Sequence, residues 1–572
     1  MQNDRNPLLG TQRDDSSDDD DNNNTTTTAI PTFSVPPLKP RPQDDYHHSN
    51  NNNNHASGSR HSDEDDDDDD DTNQEERRLL SGHDNGNNND NNNNINNNAN
   101  DTQTERRAPE PMEVHDSNDD PPIMTSKWDN PMWRYPLLAA FFALFLLMFK
   151  VVFLIVLHSE MIERGPDRVL FNGTEYFDPL VVLVSLDGFR EDYLHRNITP
   201  NLLRFAANGM RAEYMHPAFP SVTFPNHWTL ATGLHPESHG IVANEFYDPV
   251  IKKEFSISDD DPRFWQGEPI WMTAKRHEKE SAVIMWPGSM ITGLKPERVI
   301  PFNDTMLPRE KIDIALDWID LPREKRPNFI GVYIQQVDEN GHRYGPDGPD
   351  MKKAIIDMDR AMGHLWEGLG NRNLLGRVHV VIVSDHGMAE TDRSRVIYYD
   401  DILSSESRSW LREREAGPLL GLRPKHDAPK QAVEQIYQEL YNYTQTHPDP
   451  HFQIYRREEV PLRFHYNNND RIAPIVAIPD VGYVMVDHER WHPKSAHEQF
   501  SPHGIHGYDN LATEMRSIFM AYGPVIDMTY GRRSVVAPFF NTEVYSFVCE
   551  LLNIDASPVQ NGTMNGQFVR IR

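Results

Sequence analysis

The sequence predicts an α/β fold: a mostly parallel sheet flanked by helices, preceded by an unstructured tail and one membrane-spanning helix. Three observations predict it. Apolar runs at 179–188, 328–341 and 377–387 each end abruptly in acidic or imidazole residues, as buried parallel strands do where they run into a loop. Helix-patterned stretches lie between them, such as 199–209, with Asn201 near its start and Gly209 as a stop. Upstream, residues 137–157 form one unbroken apolar run interrupted only by Lys150.

Residues 1–134 are acidic and asparagine-rich. They hold 30 Asp+Glu against 11 Lys+Arg, so −19 of the whole-chain charge of −32 lies there and −13 remains for the rest. Such composition cannot bury enough apolar surface to offset chain entropy, and the segment is expected to be a disordered cytosolic tail. A chain with this net acidic balance is a poor match for a phosphate backbone, which is bound through Lys and Arg, so no nucleic-acid polymer is expected as a partner. Two acidic dileucine patterns, at 4–9 and 75–80, suggest sorting to a vacuolar or endosomal membrane, with the plasma membrane as the alternative.

Residues 135–157 are read as a transmembrane helix. The 21 residues from 137 to 157 would span roughly 30 Å of hydrocarbon. Trp128, Trp133 and Tyr135 supply an interfacial belt. Positive charges tie across the span, with Lys127 and Arg134 before it and Arg164 and Arg168 after it, so orientation rests on sequons. Asn172, Asn197, Asn303, Asn442 and Asn561 all follow the span in Asn-x-Thr settings, and each is a candidate glycosylation site. The reading is a single-pass type II protein: a stalk at 158–177, then a lumenal or extracellular domain at 178–572. The sole cysteine, Cys549, can form no intramolecular disulfide and no cysteine-based metal site.

The end of each strand carries chemistry. VSLDGF places Asp187 at a strand end, and TFPNHW places Thr223 on a turn before a helix. DENGHRYGP sets Asp338 and His342 four residues apart, VSDHGM sets Asp385 beside His386, and HGIHGYDN contributes His506. Alone, an Asp-Gly after a strand is commonly a turn. Together these segments bring three carboxylates, three imidazoles and one hydroxyl to loops at strand ends, where open α/β sheets bind ligands. Imidazole and carboxylate ligands suit zinc, and two ions of about four ligands each could share these residues. Such a pair clamps both oxygens of an in-line displacement and activates a hydroxyl nucleophile.

These segments, with ATGLHPESHGI, GEPIW, WPGS, IPDVGY and VVAPFFNTEVYSFVCELLNI, resemble the ectonucleotide pyrophosphatase/phosphodiesterase family of the alkaline phosphatase superfamily. The likeness covers nearly all of 179–565 and implies an alkaline-phosphatase-like fold with two Zn²⁺ per catalytic domain. It implies that Asp187, Thr223, Asp385 and His386 hold the ion that activates the Thr223 nucleophile, and that Asp338, His342 and His506 hold the second. Asn244 would bind a phosphate oxygen, while Phe224 and Phe302 would face each other across a nucleobase. The implied reaction converts a nucleoside triphosphate to a monophosphate and diphosphate through a nucleotidyl-threonine. The sequence resembles the compact branch that lacks cysteine-rich and nuclease-like modules. A choline-lipid phosphodiesterase and an inactive membrane-anchored binding module are the alternatives. A sulfatase is disfavoured because no Cys/Ser-x-Pro-x-Arg setting surrounds Thr223.

Overall fold

Residues 181–186, 329–334 and 379–383 are buried at every position, so no alternation of apolar and polar residues appears in them. In the computed structural model, which describes residues 138–153, 169–412, 419–495 and 497–572, they become three adjacent strands. The strands used below are β1 (Val181–Leu186), β2 (Met210–Ala212), β3 (Ser281–Ile284), β4 (Arg298–Ile300), β5 (Phe329–Ile334), β6 (His379–Val383), β7 (Phe519–Tyr522) and β8 (Ser534–Val536). They form one eight-stranded sheet in the order β8-β2-β7-β6-β1-β5-β3-β4. All neighbours are parallel except at β7, which runs antiparallel to both β6 and β2. The expected α/β class and mostly parallel sheet are therefore found.

The helices needed here are α1 (Pro200–Asn208), α2 (Thr223–Thr232), α3 (Pro308–Ile319), α4 (Gln336–Tyr344), α5 (Pro349–Asn371), α6 (Ala432–Thr446) and α7 (Glu543–Leu552). The expected helix at 199–209 is α1. Its start is capped from a distance: the Asp359 carboxylate on α5 accepts from the backbone N–H groups of Asn201 and Leu202, which are orphan donors in any first turn. α2 is buried almost throughout, so its N-terminus ends inside the domain rather than at the surface.

One region was not anticipated. Leu420–Leu422, Ile475–Pro479 and Phe452–Arg456 form a small antiparallel sheet. It packs with α6 around its own core, which includes Ile436, Leu440, Ile454 and Ile475.

Part of the expected stalk, 158–177, is described. Leu170–Phe171 and Tyr176–Phe177 pair as a hairpin. Phe177 is buried under the Arg326 guanidinium, which also donates to the Tyr176 carbonyl. Residues 158–168 and the tail lie outside the described residues. Of the expected membrane span, 138–153 is helical and exposed, and its remaining residues lie outside the described set. Among the described residues no helix is long and apolar enough to cross a membrane.

Candidate active site

Asp187 follows β1 directly, and Asp385 and His386 follow β6. Parallel neighbours in register carry their C-terminal ends to one edge, which brings these residues together. Gly188 makes the approach to α4 close. Its φ is +66°, and an added Cβ would lie 2.9 Å from Asp338 Cα, a place only glycine can occupy. α2 then presents Thr223 at its first position. Asn226, one turn in, holds the preceding loop by accepting from Ala218 N–H and donating to the Pro220 carbonyl, at 2.8 and 2.9 Å.

Two clusters result. In the first, His386 Nε2 lies 2.9 Å from Asp385 Oδ2, 3.4 Å from Asp187 Oδ1 and 3.3 Å from Thr223 Oγ1. In the second, His506 Nε2 lies 3.2 Å from His342 Nε2 and 3.4 Å from Asp338 Oδ1, while His342 Nε2 is 3.3 Å from Asp338 Oδ2. The His386 and His506 rings stack at 3.6 Å and join the two. All seven residues expected to act as ligands are thus brought together, over some 320 positions of sequence.

The donor set fits divalent cations. Asp187 Oδ1, Asp338 Oδ1 and Asp385 Oδ2 are buried and have no hydrogen-bond donor, a costly state unless something positive faces them. Each histidine spends Nδ1 on a backbone carbonyl: His386 on Gly387, His342 on Gly504 and His506 on Ser221, at 2.8 to 2.9 Å. With Nδ1 donating, every Nε2 lone pair points into the cluster, the tautomer a metal needs. Two such lone pairs 3.2 Å apart, on His342 and His506, require a proton or a cation between them. The charges agree with this. Burial, reinforced by the Asp385 and Asp338 charges, pushes the Asp187 carboxyl well up. Burial pushes His342 down, but Asp338 outweighs it and lifts the imidazole to about 9. Burial and the His386 ring hold His506 down at about 3.

Three residues that the sequence reading left out complete the site. His227 lies one turn after Thr223 on α2, donates from Nδ1 to the Thr223 carbonyl and accepts at Nε2 from the Ser185 hydroxyl, both at 2.9 Å. Its Nδ1 also stands 3.4 Å from Asp385 Oδ2. The i,i+4 spacing from Thr223 in TFPNHW was the available signal. Tyr333 on β5 donates its hydroxyl to Asp187 Oδ2. Lys311 on α3 is fully buried and donates to Gln335 Oε1. Burial lowers its ammonium to about 7, against the pull of Glu339 and Asp187. No local pattern marks Tyr333 or Lys311.

Of the other expected residues, Asn244 accepts from the Phe224 backbone N–H at 2.9 Å, which places it beside Thr223. Phe224 has Phe255 and Trp265 as ring neighbours. Phe302 stands 59% exposed. The sequons divide. Asn197, Asn303 and Asn442 are exposed. Asn172 is buried and donates from Nδ2 to the Arg372 carbonyl at 2.9 Å. Asn561 accepts from the His235 N–H.

A hydroxyl at a buried helix N-terminus, set against carboxylate–imidazole clusters that could hold cations, fits the hydrolase class. Comparison with known proteins gives the family. A model described as type I phosphodiesterase / nucleotide pyrophosphatase matches residues 181–509. An uncharacterised pyrophosphatase/phosphodiesterase of Schizosaccharomyces pombe is 43% identical over 408 residues, covering 69% of this chain and 81% of that protein. Ectonucleotide pyrophosphatase/phosphodiesterase family member 3 of Bos taurus is 36% identical, covering 68% of this chain and 44% of that protein. The chain thus spans under half the length of the bovine relative. The solved structure of an inactive variant of murine ectonucleotide pyrophosphatase/phosphodiesterase 5, in complex with AMP, matches with TM-score 0.60 at 32% identity, covering 68% of this chain and 98% of that one. The chain belongs to the ectonucleotide pyrophosphatase/phosphodiesterase family of the alkaline phosphatase superfamily, a family of hydrolases.

Proposed function

We propose that this chain hydrolyses phosphodiester and pyrophosphate bonds of nucleotides, with Thr223 as nucleophile and two zinc ions held by the paired clusters. The observation that carries the reading is the placement of Thr223 Oγ1 at 3.3 Å from His386 Nε2, beside three carboxylate oxygens that lack donors. Asp187, Thr223, Asp385 and His386 would hold one ion, and Asp338, His342 and His506 the other. Bound zinc supplies Lewis-acid polarisation of the phosphoryl oxygens and lowers the pKa of the threonine hydroxyl.

The chain's own residues do the rest. The positive end of α2 favours both the threonine oxyanion and the incoming phosphate. Asn244 has its Oδ1 engaged by Phe224 N–H, which aims its Nδ2 hydrogens at a phosphate oxygen as charge develops there. The Gly188 N–H and the Tyr333 hydroxyl hold Asp385 and Asp187, so that neither carboxylate must reorganise during turnover. Phe224 and Phe302 form the two sides of a base slot. Attack of Thr223 on the α-phosphorus of a nucleoside triphosphate expels diphosphate, and water then releases the monophosphate from the threonine.

The catalytic domain (178–572) is proposed to be anchored by a helix through 135–157 in type II orientation, behind a cytosolic tail at 1–134. Vacuolar, endosomal or plasma membrane would hold it, with glycans on the exposed Asn197, Asn303 and Asn442. The deciding experiment is hydrolysis of the p-nitrophenyl ester of thymidine monophosphate by full-length protein. Turnover should vanish with chelator and return with zinc. Full turnover after chelation would refute the metal assignment.

A further inference from the structure

The hairpin at 170–177 is seated on the loops that lead into the central strands. Arg377 Nε and the Asn373 amide, just before β6, donate to the carbonyls of Phe171 and Asn172. Arg326, just before β5, donates to the Tyr176 carbonyl at 3.0 Å. Phe177 is buried shortly before β1 begins. The hairpin therefore lies at the N-terminal edge of the sheet. Asp187, Asp385 and His386 follow β1 and β6 at the opposite edge. β1 is six residues long, which sets the two edges about 20 Å apart at roughly 3.3 Å per residue.

The outward face of the hairpin is apolar. Val169, Phe171 and Tyr176 stand 38%, 48% and 57% exposed, and the Phe171 and Tyr176 rings meet across the two strands at 4.9 Å. Contiguous exposed apolar groups of this kind mark an interaction surface. The charges around it are already paired: Arg323 with Asp178, Arg326 with Glu175 and Arg372 with Asp320. Such pairs exert little net pull on a highly charged partner, so the partner is one that accepts rings. The chain length identifies it. The membrane span proposed above ends at 157, and eleven residues, 158–168, stand between it and Val169. Eleven residues reach at most about 40 Å, whereas a domain of about 400 residues is roughly 50 Å across. The hairpin therefore cannot be the part of the domain farthest from the bilayer. A tyrosine beside an apolar ring suits the headgroup level, where the aromatic body is buried and the hydroxyl stays wet. The sequons agree with this orientation. Asn172, on the hairpin, is buried with its amide engaged, which leaves this edge without a free acceptor for a glycan. The exposed Asn197 and Asn303 lie on the loops that leave β1 and β4 at the other edge.

We infer that the Phe171–Tyr176 face of the hairpin rests on the headgroup region of the bilayer, so that the N-terminal edge of the sheet faces the membrane and the Thr223 edge faces away from it. The inference rests on the anchoring proposed above. It is tested on the full chain reconstituted into phosphatidylcholine vesicles. The sole native cysteine, Cys549, is buried, so a thiol-reactive bimane label goes to Tyr176→Cys or, at the opposite edge, to the exposed position of Asp304→Cys. Lipids carrying a nitroxide at the headgroup should remove most of the fluorescence of the label at 176 and leave that at 304 unchanged. Phe171→Asp, a substitution at an exposed position, should restore most of the signal lost at 176. A chain that resists carbonate extraction but shows no quenching at 176, or equal quenching at both positions, overturns the inference and leaves the anchor standing. Excimer emission from a pyrene label at 176 in place of lipid quenching shows a second copy of the chain on this face and overturns it as well. A chain that carbonate releases from the vesicles overturns both the inference and the anchor.

Discussion

The two ligand clusters are made of the same side-chain types but differ in how they are held. Asp187, Asp385 and His386 are at most 1% exposed and follow β1 and β6 in the middle of the sheet. The Gly188 N–H, His227 and Tyr333 surround their carboxylates. The second cluster hangs on one turn of α4 and a loop, and the His342 side chain is 33% exposed at the edge of a cavity. One cluster is part of the core; the other is part of a wall. A site built this way can keep the surroundings of Thr223 rigid while the His342 side opens to solvent. Rigidity there comes from the sheet, because moving Asp187 or Asp385 would disturb strands buried on both faces.

Mutation can break this asymmetry. Thr223→Ala should have the largest effect, lowering kcat for the p-nitrophenyl ester by more than about 10³-fold, with circular dichroism unchanged. Normal turnover in that variant would remove the nucleophile. Asp385→Asn should come next, at about 10²- to 10³-fold, and no excess of zinc should restore it, because a neutral amide cannot replace a buried anionic ligand. His342→Ala should cost about 10²-fold or less and be partly relieved by high zinc, the behaviour of a wall rather than a core. Equal zinc rescue of both variants would erase the distinction. Tyr333→Phe, which only frees the orientation of Asp187, should cost about ten-fold in zinc affinity measured by competition with a chromogenic chelator.

The smallest effect concerns stability. Lys311 has a folded-state value of about 7 against an ordinary 10.5. Between those values the unfolded chain binds more protons, so stability rises with pH across that window. Below it the buried ammonium carries its full penalty. Lys311→Met should therefore raise Tm by a few °C, roughly, at pH 6 and by less at pH 9, followed by calorimetry. Parallel Tm curves for the two proteins would mean that Lys311 stays charged throughout.

Much of the first cluster and the three central strands of the sheet were legible because their signals are local. An apolar run that stops at Asp187, or at Asp385-His386, is both a strand and its loop. Asp338 and His342 announce themselves by helical spacing. His227 carried a similar signal within TFPNHW and was passed over. Tyr333 was hidden because a tyrosine in a fully buried strand reads as core; its hydroxyl matters only once Asp187, 146 positions away, is opposite it. Lys311 looked like one charge among others on α3. The small antiparallel sheet, the reversed β7 and the hairpin at 170–177 were missed for the same reason: their partners lie far along the chain.

By itself the sequence determined the α/β class, the seven ligand candidates and the family, because strand composition, helical spacing and dense motifs are properties of neighbouring residues. Only the tertiary structure decided which carboxylate oxygens lack donors, which sequon amides are already engaged and where the space beyond His342 lies. Those depend on through-space distances between segments some hundreds of residues apart, and burial turns such distances into energies that no short stretch of sequence encodes.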